Sequence, residues 1–261
     1  MRLMEGVFAV ALVGAPACSA FAQDAMRGLD LASPDMTTAE MTRGQVEAVL
    51  KAGQGGRRAD FSGKRLSGLD LSGLDLSGAN LRAARLNHTN LSHSHLDRAT
   101  LDQAWALGAD LTGASLVKAS LFATQMAGAR LDGANLTGAR VTADLTGAHL
   151  VGARLEDSDC GADEKNQSMG LMRATFKSAD LAHADFSRAN LARADLRFAK
   201  LANANFSGAS LREADASGAD LRGALFHGVD VSGLDLDSAR VDKASIPDLA
   251  RAIHLDRAFR E

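Results

Sequence analysis

Three histidines close together, His88, His93 and His95, are the densest set of metal-type ligands in this chain. Imidazole suits Zn or Cu, and such a site needs three or four donors converging on one point. Cysteine adds little, because Cys18 and Cys160 alone cannot build a thiolate cluster. Nor does the sequence around Cys160 supply a His-Asp partnership that would make its thiol a nucleophile. Three carboxylates, Asp195, Asp215 and Asp235, recur at an interval of twenty. That spacing matters to Ca²⁺ or to a basic partner only if the fold brings them together. No phosphate-cradling glycine motif, nucleophile elbow or paired acid and base is legible. Lys plus Arg number 29 against 32 Asp plus Glu, a net charge of −3, with one Trp and no Tyr. Nucleic-acid binding draws on a basic excess and on stacking aromatics, and a chain without the excess, without Tyr and with one Trp does not favour it.

What must position these residues is a chain with a period of five. Leucine or phenylalanine stands at Phe61, Leu66, Leu71, Leu76, Leu81, Leu86, Leu91, Leu96 and Leu101, and the series resumes from Leu171 to Ile246. Five matches neither the 3.6 of a helix nor the 2.0 of a strand, so the chain is a repeat protein. With the large apolar residue as i, position i−2 is mostly Ala, i−1 Asp or Asn, i+1 Ser, Thr or Arg, and i+2 often Gly. Ala79-Asn80-Leu81 and Ser217-Gly218-Ala219-Asp220-Leu221 show the unit.

On these residues the chain resembles the pentapeptide-repeat family from about residue 59 to 246. The resemblance implies an all-β fold, a right-handed quadrilateral parallel β-helix of about nine coils. Four units make each coil, with i and i−2 pointing inward. Phe186, Phe206, Phe226 and Ile246 lie twenty apart and would stack in one column, with Leu81 and Leu101 in the same core. Glycine at i+2 suits a tight corner. Stacked coils lie about 4.8 Å apart, which turns Asp195, Asp215 and Asp235 into an outward ladder. Arg193, Arg197 and Arg212 are placed to relieve its repulsion. His93 and His95 point outward around a corner with only Asp75 stacked near them, so solvated histidines are expected and no metal site. The resemblance implies no cofactor and no catalytic residue.

Departures from the period carry the partner expectations. Val141 to Leu145 is a step of four, and the polar run 156–169, with Asp157, Asp159, Cys160, Asp163 and Glu164, reads as a bulge. It is either an insertion tolerated at a corner or a partner-binding protrusion. Trp105 at an outward i−1 position is the other candidate contact, as an exposed anchor or as a ring folded over Leu107.

Residues 1–22 read as a secretory signal, with Arg2, an apolar Val7–Val13 and Ala20-Phe21-Ala22 before a cut ahead of Gln23. A start at Met26 or later would leave a cytoplasmic protein. The apolar run is too short to span a bilayer as a helix. Residues 23–58 form a linker and an N-terminal capping helix, opened by a Thr37/Glu40 capping box and stopped at Gly53. Residues 247–261 form a C-terminal helix opened by Ser245 and Asp248, a cap or a homodimer contact.

The functional expectation is an exported, non-enzymatic scaffold that binds a protein or envelope component through its outer faces and loop. The alternative is a cytosolic, DNA-mimicking protection protein for topoisomerase (gyrase), the quinolone-resistance type within the family. That role calls for a strongly acidic surface, which the balanced charge does not supply.

Overall fold

The computed structural model describes residues 30–53, 58–162, 172–245 and 249–260. Each pentad is one side of a four-sided coil. The large apolar residue sits at the middle of the side, and Phe61, Leu66, Leu81, Leu101 and their successors are fully buried with the i−2 alanines. Four backbone amides of each unit are bonded, that of i−1 to the coil behind (Asn80 N to Ala59 O, 2.9 Å). The amide of i reaches the coil ahead (Phe61 N to Asn80 O, 2.7 Å), as does that of i+2 (Gly63 N to Arg82 O, 2.8 Å). The amide of i+3 closes a turn onto i (Lys64 N to Phe61 O, 3.0 Å). Position i−1 makes one parallel bridge to its counterpart in the next coil, as Asp60 does to Asn80 and Arg65 to Arg85. The sheet-like sides are therefore one bridging residue wide, and extended strands are almost absent among the described residues.

The consensus has a physical cause at every outward position. The amide of i+1 faces no carbonyl of the neighbouring coil, so an Asp or Asn at i−1 accepts from it, as Asp60 does from Ser62 (3.0 Å) and Asp185 from Ser187 (2.8 Å). Where i−1 lacks such a group, an acid one coil earlier takes over: Asp97 accepts from the Val117 amide and Asp102 from that of Phe122. Asn over Asp alternates along several ladders, with Asn80 donating to Asp60 at 2.9 Å and Asn205 to Asp185 at 3.1 Å. This spares the like-charge contact that Asp over Asp would create.

Position i+2 turns the corners of the regular pentads with positive φ, among them 66° at Gly63, 57° at His93 and 58° at Phe198. That conformation costs an L-residue about 1–2 kcal/mol. Where the corner residue is large, its side chain leans onto the corner of the coil ahead. A Cβ built on Gly113 would lie 2.6 Å from His93 Nδ1, and one on Gly218 2.5 Å from Phe198 Cδ1. Glycine at those corners is thus required twice, by φ and by space.

The expected column is present. Phe186 and Phe206 stack at 5.4 Å with 6° between their planes, and Phe206 and Phe226 at 5.6 Å with 14°. Phe176 meets Phe186 edge-on at 5.8 Å. The interior also holds Thr89 and Thr124, whose hydroxyls donate to the Leu66 and Leu101 carbonyls.

The short step at Val141 makes a coil of nineteen residues, bridging Gln125 to Asp144 and Arg140 to Asp159. Beyond it, Asp144 bridges Thr175 and Asp159 bridges Asn190, pairs 31 apart, eleven more than the usual twenty. The expected bulge over 156–169 is corrected at its start. Leu155, Ser158 and Cys160 are buried, Asp157 and Asp159 are regular outward members of the coil, and the extra residues begin after Ala162. The amide of Ala174 donates to Cys160 O at 3.1 Å, the same turn that closes every ordinary unit. The two ends of the insertion are therefore neighbours. Leu171 and the rest of 163–171 lie outside the described residues.

Both end elements differ from expectation. Instead of one helix from Thr37 there are α1 (Pro34–Thr37) and α2 (Arg43–Gly53). Glu40 between them lies extended along the first coil, its amide on Arg65 O at 2.9 Å. The capping box is Thr42 with Gln45: Gln45 Oε1 accepts from the Thr42 amide at 2.8 Å and Thr42 Oγ1 from the Gln45 amide at 3.3 Å. α2 buries Val46 in the core, and Arg43 donates to the first-coil carbonyls of Asp70 (2.9 Å) and Ser72 (3.0 Å).

At the other end no α-helix exists among the described residues. A 3₁₀ turn at Leu255–Arg257 leads into β2 (Phe259–Arg260), which runs parallel to β1 (Arg240–Val241). The unpaired amides of the last coil are the reason. Phe259 N bonds Ala239 O at 2.8 Å and Leu236 N bonds Ile253 O at 3.1 Å, contacts that an extended chain makes and a helix cannot. A homodimer through a C-terminal helix is thereby withdrawn. Ile246, Pro247 and Asp248 lie outside the described residues, as does 1–29.

Candidate binding surface

A rod whose interior is filled offers only its outside. Among the described residues no His, Cys, Asp and Glu group is arranged to hold a metal ion. Among the described residues a groove lies between α2 and the first coil, lined by Met41, Ala48 and Val49 with Glu40, Gln45 and Lys64. It is open to solvent, and its charged pair, Lys64 Nζ and Glu40, meets at 3.3 Å. No convergent acid and base stand in it.

The histidines are separated by their corners. His88 and His93 lie on Gly108 and Gly113, on successive sides of the coil, and Asp75 bridges His95. Cys160 is not the accessible loop thiol expected from the sequence. It occupies an i position, fully buried beside Ser158 Oγ at 3.3 Å. Burial pushes its pKa up to about 12, which keeps it protonated and unreactive.

The Asp195–Asp215–Asp235 ladder forms as expected. Arg197 Nη2 lies 2.6 Å from Asp195 and its Nε 3.6 Å from Asp215, Arg173 lies 3.8 Å from Asp195, and His254 Nδ1 lies 2.8 Å from Asp235. Arg193 and Arg212 also reach Glu213 (2.7 and 3.4 Å), and Arg173 and His254 join Arg197 in relieving the ladder. Burial pushes the Asp195 carboxyl up. Hydrogen bonds from the Arg197 side chain and amide, with the charges of Arg197 and Arg173, outweigh it and hold the group below the ordinary aspartate value. A lowered carboxyl contributes stability above its unfolded pKa and loses it as pH falls through the folded one. Asp195→Ala is accordingly expected to cost about 1–3 kcal/mol at pH 7. The gap between the thermal melts of the two proteins should hold above about pH 4 and narrow only below it, closing as pH falls through the lowered folded value, and a gap that never narrows in acid would contradict the assignment.

Asp157 pairs with Arg188 through both carboxylate oxygens, at 2.7 and 2.8 Å, and Asp159 accepts from Asn190. Neither is a free protruding acid. Asp163 and Glu164 lie outside the described residues. Trp105 is half-buried between Arg85 and Gln125 on its ladder, and Leu107 beside it is half-buried too. One coil away, Asn87 donates to Met36 O at 3.1 Å, so α1 lies against this same side of the rod.

The most exposed apolar ring on the rod proper was missed. Phe198 is 58% exposed at a corner. Its signal was an aromatic at i+2 with glycine twenty residues on.

No curated protein matches the chain in sequence. Among solved structures it is similar to HetL, a pentapeptide repeat protein involved in heterocyst differentiation regulation from the cyanobacterium Nostoc sp. strain PCC 7120. That match has 31% identity and a TM-score of 0.62, covering 85% of this chain and 95% of HetL. A trypsin-treated variant of QnrB1, a plasmid-mediated fluoroquinolone resistance protein, aligns at 15% identity with a TM-score of 0.57, over 74% of this chain and 90% of that one. The family model described as Pentapeptide repeats matches 57–87, 75–113, 107–138, 171–208 and 204–241. Five-residue units, bridges twenty apart and these matches agree: the chain belongs to the pentapeptide-repeat family, and its rod is a right-handed β-helix of that kind.

Proposed function

We propose that this protein is an exported, non-enzymatic scaffold that binds a protein or envelope component through its outer faces and the insertion after Ala162. The observation that carries the reading is the filled interior. Leucine, phenylalanine and alanine occupy the rod from Phe61 to Val241, leaving the outside for recognition. HetL, a regulator by its description, is a relative of similar length. Export rests on the sequence of residues 1–22, with cleavage after Ala22 placing the mature chain in the periplasm or outside the cell. No helix among the described residues is long and apolar enough to cross a membrane.

The alternative is a cytosolic topoisomerase-protection protein, for which the likeness to QnrB1 supplies the fold alone. One experiment separates them. Amino-terminal sequencing of the protein from fractionated cells is expected to read from Gln23 in the periplasmic or secreted fraction. An unprocessed cytosolic chain that protects gyrase from a quinolone in a supercoiling assay would overturn the exported reading.

A further inference from the structure

Trp105, the chain's single tryptophan, stands among polar side chains that the fold leaves without partners. Arg85 precedes it and Gln125 follows it on one outward ladder, each joined to it by a parallel bridge. Successive side chains there are about 4.8 Å apart. Many outward groups elsewhere are engaged by the rod itself. Asp60 and Asp185 hold amides, Asp157 holds Arg188, and Arg65, one coil before Arg85, pairs with Asp35 and Glu40.

Around Trp105 that pattern stops. Among the described residues the Arg85 guanidinium and the Gln103 amide form no hydrogen bond or ion pair. Gln125 uses only Nε2, which donates to the Ala123 carbonyl at 3.3 Å. The indole N–H has no acceptor and the ring no stacked partner, and all these free atoms are open to solvent.

The surface around them has a definite outline. Leu107 and Ala127 lie half-buried on the same side, which turns at Gly108 and Gly128, so little rises above the ladder. α1 bounds one end, where Asn87 donates to Met36 O, and Asp144 bridges Gln125 at the other. From Arg85 to Gln125 this side carries one arginine and no carboxylate. Asp102 and Asp110 belong to the adjoining sides, where they accept from the Phe122 and Thr112 amides.

We propose that this face binds a neutral β-1,4-linked glycan, one pyranose ring resting on Trp105 and the chain running along the rod. Such a ring with equatorial hydroxyls presents C–H bonds on its flat face and hydroxyls around its rim. The flat face suits an uncovered indole. Each hydroxyl both donates and accepts, which matches the free donors of Arg85 and the donors and acceptors of Gln103 and Gln125. A protein partner fits less well, because the apolar area is small and three polar side chains would each need a partner when covered. Single-stranded nucleic acid also fits less well, since one unpartnered cation on the face is a thin match for its phosphates. The assignment rests on the exported-scaffold reading, whose envelope component it names.

The protein's own fluorescence tests it at this site, because Trp105 is the sole tryptophan and tyrosine is absent. Titrating the chain from Gln23 with cellohexaose or chitohexaose is expected to shift the emission to saturation and to shield it from acrylamide. Maltohexaose, α-linked and curved, is expected to do neither. By calorimetry Trp105→Ala is expected to bind about tenfold more weakly. Arg85→Ala and Gln125→Ala should each lose affinity several-fold while melting as wild type does, and they carry the test if Trp105→Ala does not fold. Phe198→Ala removes the exposed ring at a corner several coils away and should leave binding unchanged. No response to either β-linked glycan, an equal response to maltohexaose, or unaltered affinity in Arg85→Ala and Gln125→Ala would overturn the proposal. So would tighter binding of oligothymidylate, or an emission shift on concentrating the protein alone, which would give the face to a second copy. A periplasmic protein beginning at Gln23 that binds no glycan would strike the glycan and leave the exported scaffold standing. An unprocessed cytosolic chain that binds it would do the reverse.

Discussion

Phe206→Ala is expected to lower the stability of the rod by about 3–5 kcal/mol, the range for truncating a buried phenylalanine. For a folding unit of this size that is a fall in Tm of roughly 6–20 °C. The ring is wholly buried and is stacked on both sides, by Phe186 at 5.4 Å and Phe226 at 5.6 Å. Truncation removes two ring contacts and opens a void that the backbone cannot collapse to fill, because each neighbouring coil is fixed by its own bridges. Phe206→Leu restores what most other units carry and should cost under about 1.5 kcal/mol. Differential scanning calorimetry of the two variants measures the contrast. A Phe206→Ala protein melting within about 2 °C of wild type would show that the column contributes little.

Removing residues 163–173 is expected to leave the rod folded, at the cost of the Arg173 contacts to Arg193 O and Asp195. The deletion joins Ala162 to Ala174 and leaves the unit Cys160-Gly161-Ala162-Ala174-Thr175 followed by Phe176, a regular pentad. The hydrogen bond from the Ala174 amide to Cys160 O is already made across the insertion. Bridges such as Asp159 to Asn190 would then join residues of the usual separation. Closing a loop of this length costs about 2 kcal/mol in chain entropy, and the deletion recovers part of it. If the insertion is the partner contact, a pull-down with the shortened protein should lose the partner that the full chain retains, while the shortened protein still melts cooperatively. A shortened protein that unfolds, or melts many degrees lower, would show that 163–173 is part of the rod.

How far the sequence alone reached depended on which way each side chain faces. Inward positions obey one narrow interior, so the period of five, the small i−2 residue and the phenylalanine column were legible and correct. Outward positions obey hydrogen bonds between coils that no local motif records. The role of Asp97 toward Val117, twenty residues away, is invisible until the coils are stacked. The ends were misread for a related reason. Leu249, Ile253 and Phe259 have helix-like spacing, yet the open edge of the last coil demanded extended chain. At the other end Thr37/Glu40 and Thr42/Gln45 are equally good capping boxes, and the pairing of Glu40 with Arg65 decided between them. Cys160 looked like a loop residue because acidic residues surround it, while its register, five after Leu155, placed it in the core.

The lean of the corner side chains gives the rod a grammar. His88 needs Gly108 ahead of it, Phe198 needs Gly218, and Arg188 settles on Gly208. A coil is thus a word whose meaning depends on its successor, and the dependence runs in one direction only. Copying a coil that carries His88 or Phe198 would set that side chain against a copy of itself in place of glycine. Copying a donor coil together with its glycine-bearing acceptor preserves the sentence. Where a corner is His88 or Phe198, the unit of growth is then the pair of coils, twice as long as the geometric repeat.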